Sequence, residues 1–477
     1  MLTGGDTTLI YGGLVVTDIE AVPLDVLIQG EKIIKLDKHI EPQEEWNVIN
    51  AVGHVIFPGG IDPHTHLDSR WEGLVTADDW LSGTIAAAAG GTTTIIDFCR
   101  PEKDQPLMEA VDDWKARAQH KSVVDYSFHL VIRDAGESRL QEMEVAVQHG
   151  LPSFKLFMAY KDSLQLSDRE LFQILQRIRE LDGIALVHCE NGDVIEVLIE
   201  QAIAAGNTAP IYHALTRPPE LEGEATGRII RLAQITETPI YIPHVTCKQS
   251  MLEIQNAHAR GQLVVAETCP QYLFIDQDYL LQPDFEAAKY VWSPPPRKTW
   301  HQSYLWESIK NGDIQTIGSD HSSYNFVGQK DIGKDDFTKI PNGGPSIEDR
   351  MSLLYHFGVV QGKLNLNQFV HLTSTNAAKT FGLFPNKGVI AEGSDADLVI
   401  WNPNLKRTIS AGSHHMNVDY SIFEGIEVTG IAVQVMVRGQ TIFHEGTFVG
   451  KPGSGKFISR QIIAKDMQSL LTKDVNP

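Results

Sequence analysis

Eight short apolar runs spaced along the middle of the chain set the tightest limit on its fold. They are Val55 to Ile61, Thr92 to Phe98, Val123 to Ile132, Ser153 to Phe157, Ile184 to Val187, Ile240 to Ile242, Leu263 to Ala266 and Ile314 to Ile317. Runs of this length, bounded by turn residues, read as buried strands. Several segments between them carry helix signals. Ser167 and Glu170 have capping-box spacing ahead of Leu171, Ile174, Leu175, Ile178 and Leu181 on one helical face, and Gly183 closes the segment. Thr76 and Asp79 have the same spacing ahead of an Ala-rich stretch ending at Gly90 and Gly91. Strand and helix alternating eight times predict an α/β fold, a closed (β/α)8 TIM-like barrel whose active site lies at the C-terminal ends of its strands. An open doubly wound sheet is the rival, but none of the strand candidates is followed by G-x-G-x-x-G.

The two ends of the chain have another character. Residues from about 8 to 57 read as short strands and turns, among them Thr8-Leu9-Ile10-Tyr11 and Leu14-Val15-Val16. Near the C-terminus, Gly393-Ser394-Asp395 precedes the apolar run Ala396 to Trp401, and Ile431 to Val437 runs into Arg438-Gly439-Gln440 like a hairpin. The two ends are expected to pair into one small β-domain.

At 477 residues the chain has room for a large barrel with an accessory domain. No uninterrupted apolar stretch approaches the roughly 18 to 20 residues that span a bilayer, and the N-terminus lacks the pattern of a secretory signal. The expectation is a soluble, cytoplasmic protein. A net charge of −21 argues against nucleic acid or an anionic membrane as partner and favours a small substrate. Cys99, Cys189, Cys247 and Cys269 are too scattered for a disulfide framework and read as small buried fillers.

Six residues placed behind or inside the strand candidates carry metal-type chemistry. His64 and His66 follow the first strand, Lys155 lies in the fourth, His188 follows the fifth, His244 the sixth and Asp320 the eighth. Side chains at i and i+2 of an extended segment point the same way, so His64 and His66 can grip one ion. Among 18 histidines a lone His-x-His pair is what chance supplies; six residues in one register are not. Lys155 sits among apolar neighbours, where an ammonium is costly and a poor companion for a metal. Reaction of its neutral amine with carbon dioxide resolves this, because a carbamate (N6-carboxylysine) can bridge two metals. Four imidazoles, a carboxylate and a carbamate suit two divalent ions, zinc first, with cobalt or manganese also acceptable.

At this point the chain resembles a known family. GGIDPHTHLD, PSFKLFMAYK, VHCENGD, IPHVTC, AETCPQYL, VWSPPPR, IGSDH, KIPNGGPSIEDRM and SHHMNVDYSIFEGIEVTG follow, in order, the pattern of the dihydropyrimidinase and hydantoinase family of cyclic amidohydrolases. The resemblance runs from about residue 8 to 460. It implies a catalytic barrel over 57–389, a β-sandwich from 1–56 and 390–450, a C-terminal arm over 451–477, and usually a homotetramer. It further implies that His64, His66, Asp320 and carbamylated Lys155 bind one zinc, and His188, His244 and the same Lys155 the other, with a bridging hydroxide as nucleophile. Asp320 would be the general acid and base, Tyr160 would hydrogen-bond the developing oxyanion, and backbone groups of Ser293 and Asn342 would hold the imide. The implied reaction opens a 5,6-dihydropyrimidine or a 5-substituted hydantoin to an N-carbamoyl amino acid.

Two segments depart from the family pattern. Ser69-Arg70-Trp71-Glu72 replaces a more apolar loop, so Arg70 is either a solvated charge or an attractor for an anionic substituent. Ser322-Ser323 stands where Cys-Pro is common, which bears on the loop shape beyond Asp320. The rival activities are those of allantoinase and dihydroorotase, but Asp68 occupies the position where dihydroorotate enzymes typically carry an Arg for the substrate carboxylate. A non-catalytic scaffold resembling the collapsin-response proteins is disfavoured because every ligand is present. GKPGSGKF, at Gly450 to Phe457, nearly matches a phosphate-binding loop, yet Phe457 replaces the Ser or Thr that would hold magnesium; it reads as a flexible arm. His414-His415 reads as a loop pair rather than another metal site.

Overall fold

The computed structural model describes residues 7–71 and 73–471; the expectations for 1–6, for Glu72 and for 472–477 lie outside the described residues. Among the described residues, eight parallel strands form one sheet in sequential order: β1 (Gly60–Thr65), β2 (Thr92–Cys99), β3 (Asp125–Val131), β4 (Ser153–Phe157), β5 (Ile184–His188), β6 (Ile240–Ile242), β7 (Val264–Thr268) and β8 (Thr316–Ile317). Every residue of β2 and β3 is buried, as expected for strands covered on both faces. The segment after β8 returns to β1 through the parallel bridge Thr65–His321, and Ser319 donates from its backbone to Asp62 Oδ1 at 3.0 Å and from its hydroxyl to His64 O at 3.1 Å. Those bonds bring the two sheet edges together into a barrel.

One expected strand is two. Val55 to Ile61 divides at Gly59: Val55–Pro58 joins a second sheet, and only from Gly60 does the chain enter the barrel. A Cβ at Gly59 would collide with the Thr93 side chain, so the crossing of one sheet into the other requires glycine. The second sheet unites the two ends of the chain. Val55–Pro58 lies between Thr7–Val16, its parallel neighbour, and Leu398–Thr408, its antiparallel one. Nine strands in all make this mixed sheet among the described residues.

Local signals and tertiary demands agree in some places and differ in others. The Ser167–Glu170 capping box forms at the start of the helix Asp168–Glu180. The next expected cap shifts: Asp79, paired with Ser82, caps the helix Trp80–Ala89, while Thr76 serves the preceding loop by accepting from Ser69 N. The glycine-rich stretch at 450–457 is not loose. Gly455 N donates to Ser122 O at 2.9 Å, a Cβ at Gly455 would strike Val124 O, and Lys456 and Ile458 pair with the backbone of Tyr126. Its glycines serve close backbone approach. All four cysteines are free and buried.

Candidate active site

The C-terminal strand ends bring all six metal-type residues to one cavity, which Tyr160, Ser293 and Asn342 also line. His64 lies within β1 and His66 just past it, Lys155 is central in β4, and His188 ends β5. His244 and Asp320 stand in the short loops after β6 and β8 with φ of 41° and 51°, and Tyr160 has a φ of 67°. Such left-handed backbone costs on the order of 1 to 3 kcal/mol per non-glycine residue, and it turns these side chains inward where a continuing strand would alternate them.

Two groups of donors face each other. In the first, His64 Nε2 and His66 Nε2 lie 3.0 and 3.2 Å from Asp320 Oδ1. Their ligand atoms all fall within 4.8 Å of one another, a spacing suited to one small cation. In the second, His188 Nδ1 and His244 Nε2 are 3.1 Å apart. The His64 and His244 rings, with centroids 5.4 Å apart, join the groups. Lys155 Nζ lies 5.0 and 5.1 Å from the ring centroids of Phe98 and Phe157. Burial brings the Lys155 pKa down to about 8, against the pull of Asp320 and Glu267, so a neutral amine is accessible near neutral pH.

The electrostatics keep these groups apart in protonation. Burial opposes charge on Asp320, yet the His64 cation and the hydrogen bonds from His64 and His66 hold its carboxyl well below the ordinary range. Burial works against a charged His64 too, but Asp320 and Glu267 raise it to about 9. His244 is pushed far down by burial, with Lys155 and His188 adding to the effect. An ionised carboxylate among imidazoles and an uncharged-prone amine is a donor set that fits divalent metal of the zinc type.

Four acids that reasoning from sequence passed over hold this arrangement. Glu267 accepts from His64 Nδ1 at 2.7 Å and from His244 N at 3.1 Å, which turns His64 Nε2 toward Asp320. Glu190 lies 2.8 Å from His188 Nε2 and so turns Nδ1 toward His244. Asp62 Oδ1 accepts from His64 N, and Asp97 accepts from Thr65 Oγ1 and Leu67 N on either side of His66. Asp62, Asp97 and Glu267 are each a carboxylate inside a buried strand, next to Ile61, Ile96 and Ala266, a signal that could have found them.

Lys330, outside the cavity lining, was also passed over. Its Nζ donates to Val291 O at 2.8 Å, Pro341 O at 2.9 Å and Gly343 O at 2.6 Å. Three acceptors match the three N–H groups of an ammonium and oppose the burial that drives its pKa far down. One side chain thus fastens the segments that carry Ser293 and Asn342. Ser323 settles the loop beyond Asp320: its hydroxyl donates to Asp78 Oδ2 at 2.8 Å and Ala77 N donates to its carbonyl at 2.7 Å, while Ser322 lines the cavity. Arg70 is exposed and outside the cavity lining; Arg100, after β2, is in it. His415 bonds to Glu348, away from that lining.

The amidohydrolase family model matches residues 55–442 of this chain. The chain is 52% identical over 455 residues to D-hydantoinase of Geobacillus stearothermophilus, covering 95% of this chain and 96% of that protein. It is 41% identical over 464 residues to dihydropyrimidinase of Rattus norvegicus, with 96% and 89% covered. Its structure superposes on the crystal structure of dihydropyrimidinase from Brevibacillus agri NCHU1002 with a TM-score of 0.95 at 50% identity, covering 96% of this chain and 99% of that one.

Proposed function

Because the chain belongs to the amidohydrolase family, we propose that it is a cyclic amidohydrolase that opens 5,6-dihydropyrimidines and 5-substituted hydantoins to N-carbamoyl amino acids. The observation that carries this reading is the convergence of four imidazoles, Asp320 and a low-pKa Lys155 on one cavity at the C-terminal strand ends.

In this reading His64, His66 and Asp320 would hold one divalent ion and His188 and His244 a second, with Lys155, as its carbamate, joining the ligands. Zinc suits the nitrogen and oxygen donors best. When bound, such a pair activates water at neutral pH and polarises a carbonyl as a Lewis acid. The remaining work falls to the side chains. Asp320, kept ionised, accepts the proton of the attacking water and returns it to the ring nitrogen as the amide bond breaks. Burial keeps the Tyr160 hydroxyl protonated, so it donates a hydrogen bond as negative charge gathers on the carbonyl oxygen. Backbone groups of Ser293 and Asn342 orient the imide, and Lys330 holds both segments in place. Phe98, Phe157, Leu164 and Trp292 line the cavity with apolar surface that limits water.

No described helix is long and apolar enough to cross a membrane. A homotetramer, supported by the family resemblance, and a cytoplasmic location, supported by four scattered free cysteines, complete the proposal. The test is direct: protein reconstituted with zinc is assayed for ring opening of dihydrouracil, both enantiomers of a 5-substituted hydantoin, dihydroorotate and allantoin. Opening of the first two classes is expected. Turnover of dihydroorotate or allantoin alone would overturn the substrate assignment, and trace metal only in freshly purified protein would overturn the metal assignment.

A further inference from the structure

The proposed ring opening engages the backbone of Ser293 and leaves its hydroxyl without a task. That hydroxyl lies 3.2 Å from His213 Nε2, and the same nitrogen lies 2.9 Å from Trp292 O. His213 stands on the short helix Ile211–Leu215, is 2% exposed, and reaches from there to the segment between β7 and β8 that carries Ser293. Its other nitrogen, Nδ1, is 3.2 Å from Arg217 Nη1. Arg217 is fixed in turn, since Arg297, paired with Glu222 at 2.7 Å, donates to the Arg217 carbonyl.

These partners fix which atom donates and which accepts. A guanidinium has no acceptor, so Arg217 donates and His213 Nδ1 accepts; a carbonyl has no donor, so the Nε2 proton points toward Trp292 O. Burial and the Arg217 charge hold His213 well below the ordinary imidazole pKa, which keeps the ring neutral with its single proton on Nε2. Toward His213 the Ser293 oxygen is therefore an acceptor, and its own proton goes elsewhere. Tyr160 lines the same cavity as Ser293. Burial is the largest influence on the Tyr160 pKa and raises it; a hydrogen bond from the Ser293 side chain opposes that rise, as a donor to the phenol oxygen does. Arg217, His213, Ser293 and Tyr160 thus form a line of hydrogen bonds that all run one way, toward the cavity.

We propose that His213 is a positioning residue for ring opening: through the Ser293 hydroxyl it makes the Tyr160 oxygen an acceptor and so strengthens Tyr160 as donor to the substrate carbonyl. The inference rests on the ring-opening reading above. A hydroxyl that accepts one hydrogen bond donates a stronger one. The line therefore acts most as negative charge gathers on the carbonyl oxygen, and it lowers the barrier rather than tightening substrate binding.

The experiment is a double-mutant cycle in the metal-loaded full-length enzyme with dihydrouracil. Ser293→Ala keeps the backbone that holds the imide and removes the hydroxyl, so kcat should fall about tenfold with KM within about twofold. His213→Leu should cause the same loss, and His213→Gln, whose amide N–H stands in for Nε2–H, should recover most of it. In a Tyr160→Phe background neither Ser293→Ala nor His213→Leu should lower kcat by more than about twofold further. An unchanged kcat in Ser293→Ala, a loss confined to KM, or losses that add in the Tyr160→Phe background overturn the proposal. A second measurement needs no turnover: Raman spectra, each taken minus its Tyr160→Phe counterpart, report through the tyrosine ring doublet whether the phenol oxygen accepts. It should mark an acceptor in the wild type and lose that mark in Ser293→Ala and His213→Leu; identical spectra overturn the relay. If the wild type opens neither dihydrouracil nor a 5-substituted hydantoin, the ring-opening reading fails by itself, and the Raman comparison still decides whether His213 sets the Tyr160 hydroxyl.

Discussion

Both ends of the barrel bury charged groups, and they differ in how that charge is closed. At the N-terminal end, Asp125, Asp395 and Asp397 bring their oxygens as close together as the donors of the active site do. Their centre is filled by Lys387 Nζ, at 2.8 Å from Asp125, 3.1 Å from Asp395 and 2.6 Å from Asp397, and Arg438 pairs with Asp125 as well. Arg460, buried against β3 from the C-terminal segment, donates to Ser127 Oγ, Ser153 Oγ and the carbonyls of Phe128 and Phe381. At the C-terminal end, the acids Glu190 and Glu267 each engage the outward nitrogen of a histidine and leave the inward nitrogen facing a shared space. Buried charge marks a functional site only where the last partner is missing from the chain itself. The N-terminal knot ties barrel to sheet; at the C-terminal end the inward nitrogens are those the proposed metal site would use.

Removing the proposed bridging group should break this contrast most severely. Lys155→Ala is expected to lower activity on the order of a thousandfold, since the metal terms supply several kcal/mol of barrier reduction. Metal content measured by plasma emission should fall with it, while thermal stability of the metal-free protein changes little. Full metal occupancy with full activity would sink the carbamate assignment.

At the other end, Lys387→Met leaves three carboxylates facing each other in a buried space. Unfolding in urea should show a loss of about 3 to 5 kcal/mol, the cost of an uncompensated buried ion. Metal bound per folded molecule should stay the same; a parallel loss of metal would mean that the two ends are not independent.

Glu267→Gln tests whether the outward partner sets the inward nitrogen. Zinc affinity, read by competition with a chelator, is expected to fall about 10- to 100-fold, with the fold intact by circular dichroism. An unchanged affinity would reduce Glu267 to packing.

A smaller effect is expected of Lys330→Met. Loosening Val291, Pro341 and Gly343 together should raise KM for dihydrouracil about tenfold, with a lesser change in kcat and no change in metal content. A change confined to kcat would contradict a positioning role.

The pH dependence of activation gives the finest measure. Burial depresses the Lys155 pKa from 10.5 to about 8, so the ammonium predominates below that value and the reactive amine above it. Metal-free protein supplied with zinc and bicarbonate should recover activity at an initial rate that rises through about pH 8. A rate still climbing toward pH 10 would place the amine in an ordinary, solvated environment.

Much of this molecule was legible in its sequence, for local reasons. Apolar runs near the lengths of the eight barrel strands, and ligand-type residues at their ends, are properties of neighbouring residues, and barrel topology then sends all strand ends to one side. The capping box at Ser167 is equally local. The division of Val55 to Ile61 between two sheets was not legible, because the collision with Thr93 that demands Gly59 comes from the next strand. Nor was the docking of residues 455–458, where the same glycines that imitate a phosphate loop lie against Ser122, Val124 and Tyr126.

By itself the sequence determined the chemistry available: imidazoles, a carboxylate and one apolar-flanked lysine in barrel register, in a chain of a recognisable family. Tertiary structure alone decided which atom of each group is presented. The left-handed turns at His244 and Asp320, the long-range bonds from Glu267 and Glu190, and the grip of Lys330 on two distant segments set those directions. It also decided that Arg100 rather than Arg70 lines the cavity. The physical reason is range: periodicity and caps arise from bonds within a few residues, whereas side-chain direction in a closed site depends on partners tens to hundreds of residues away.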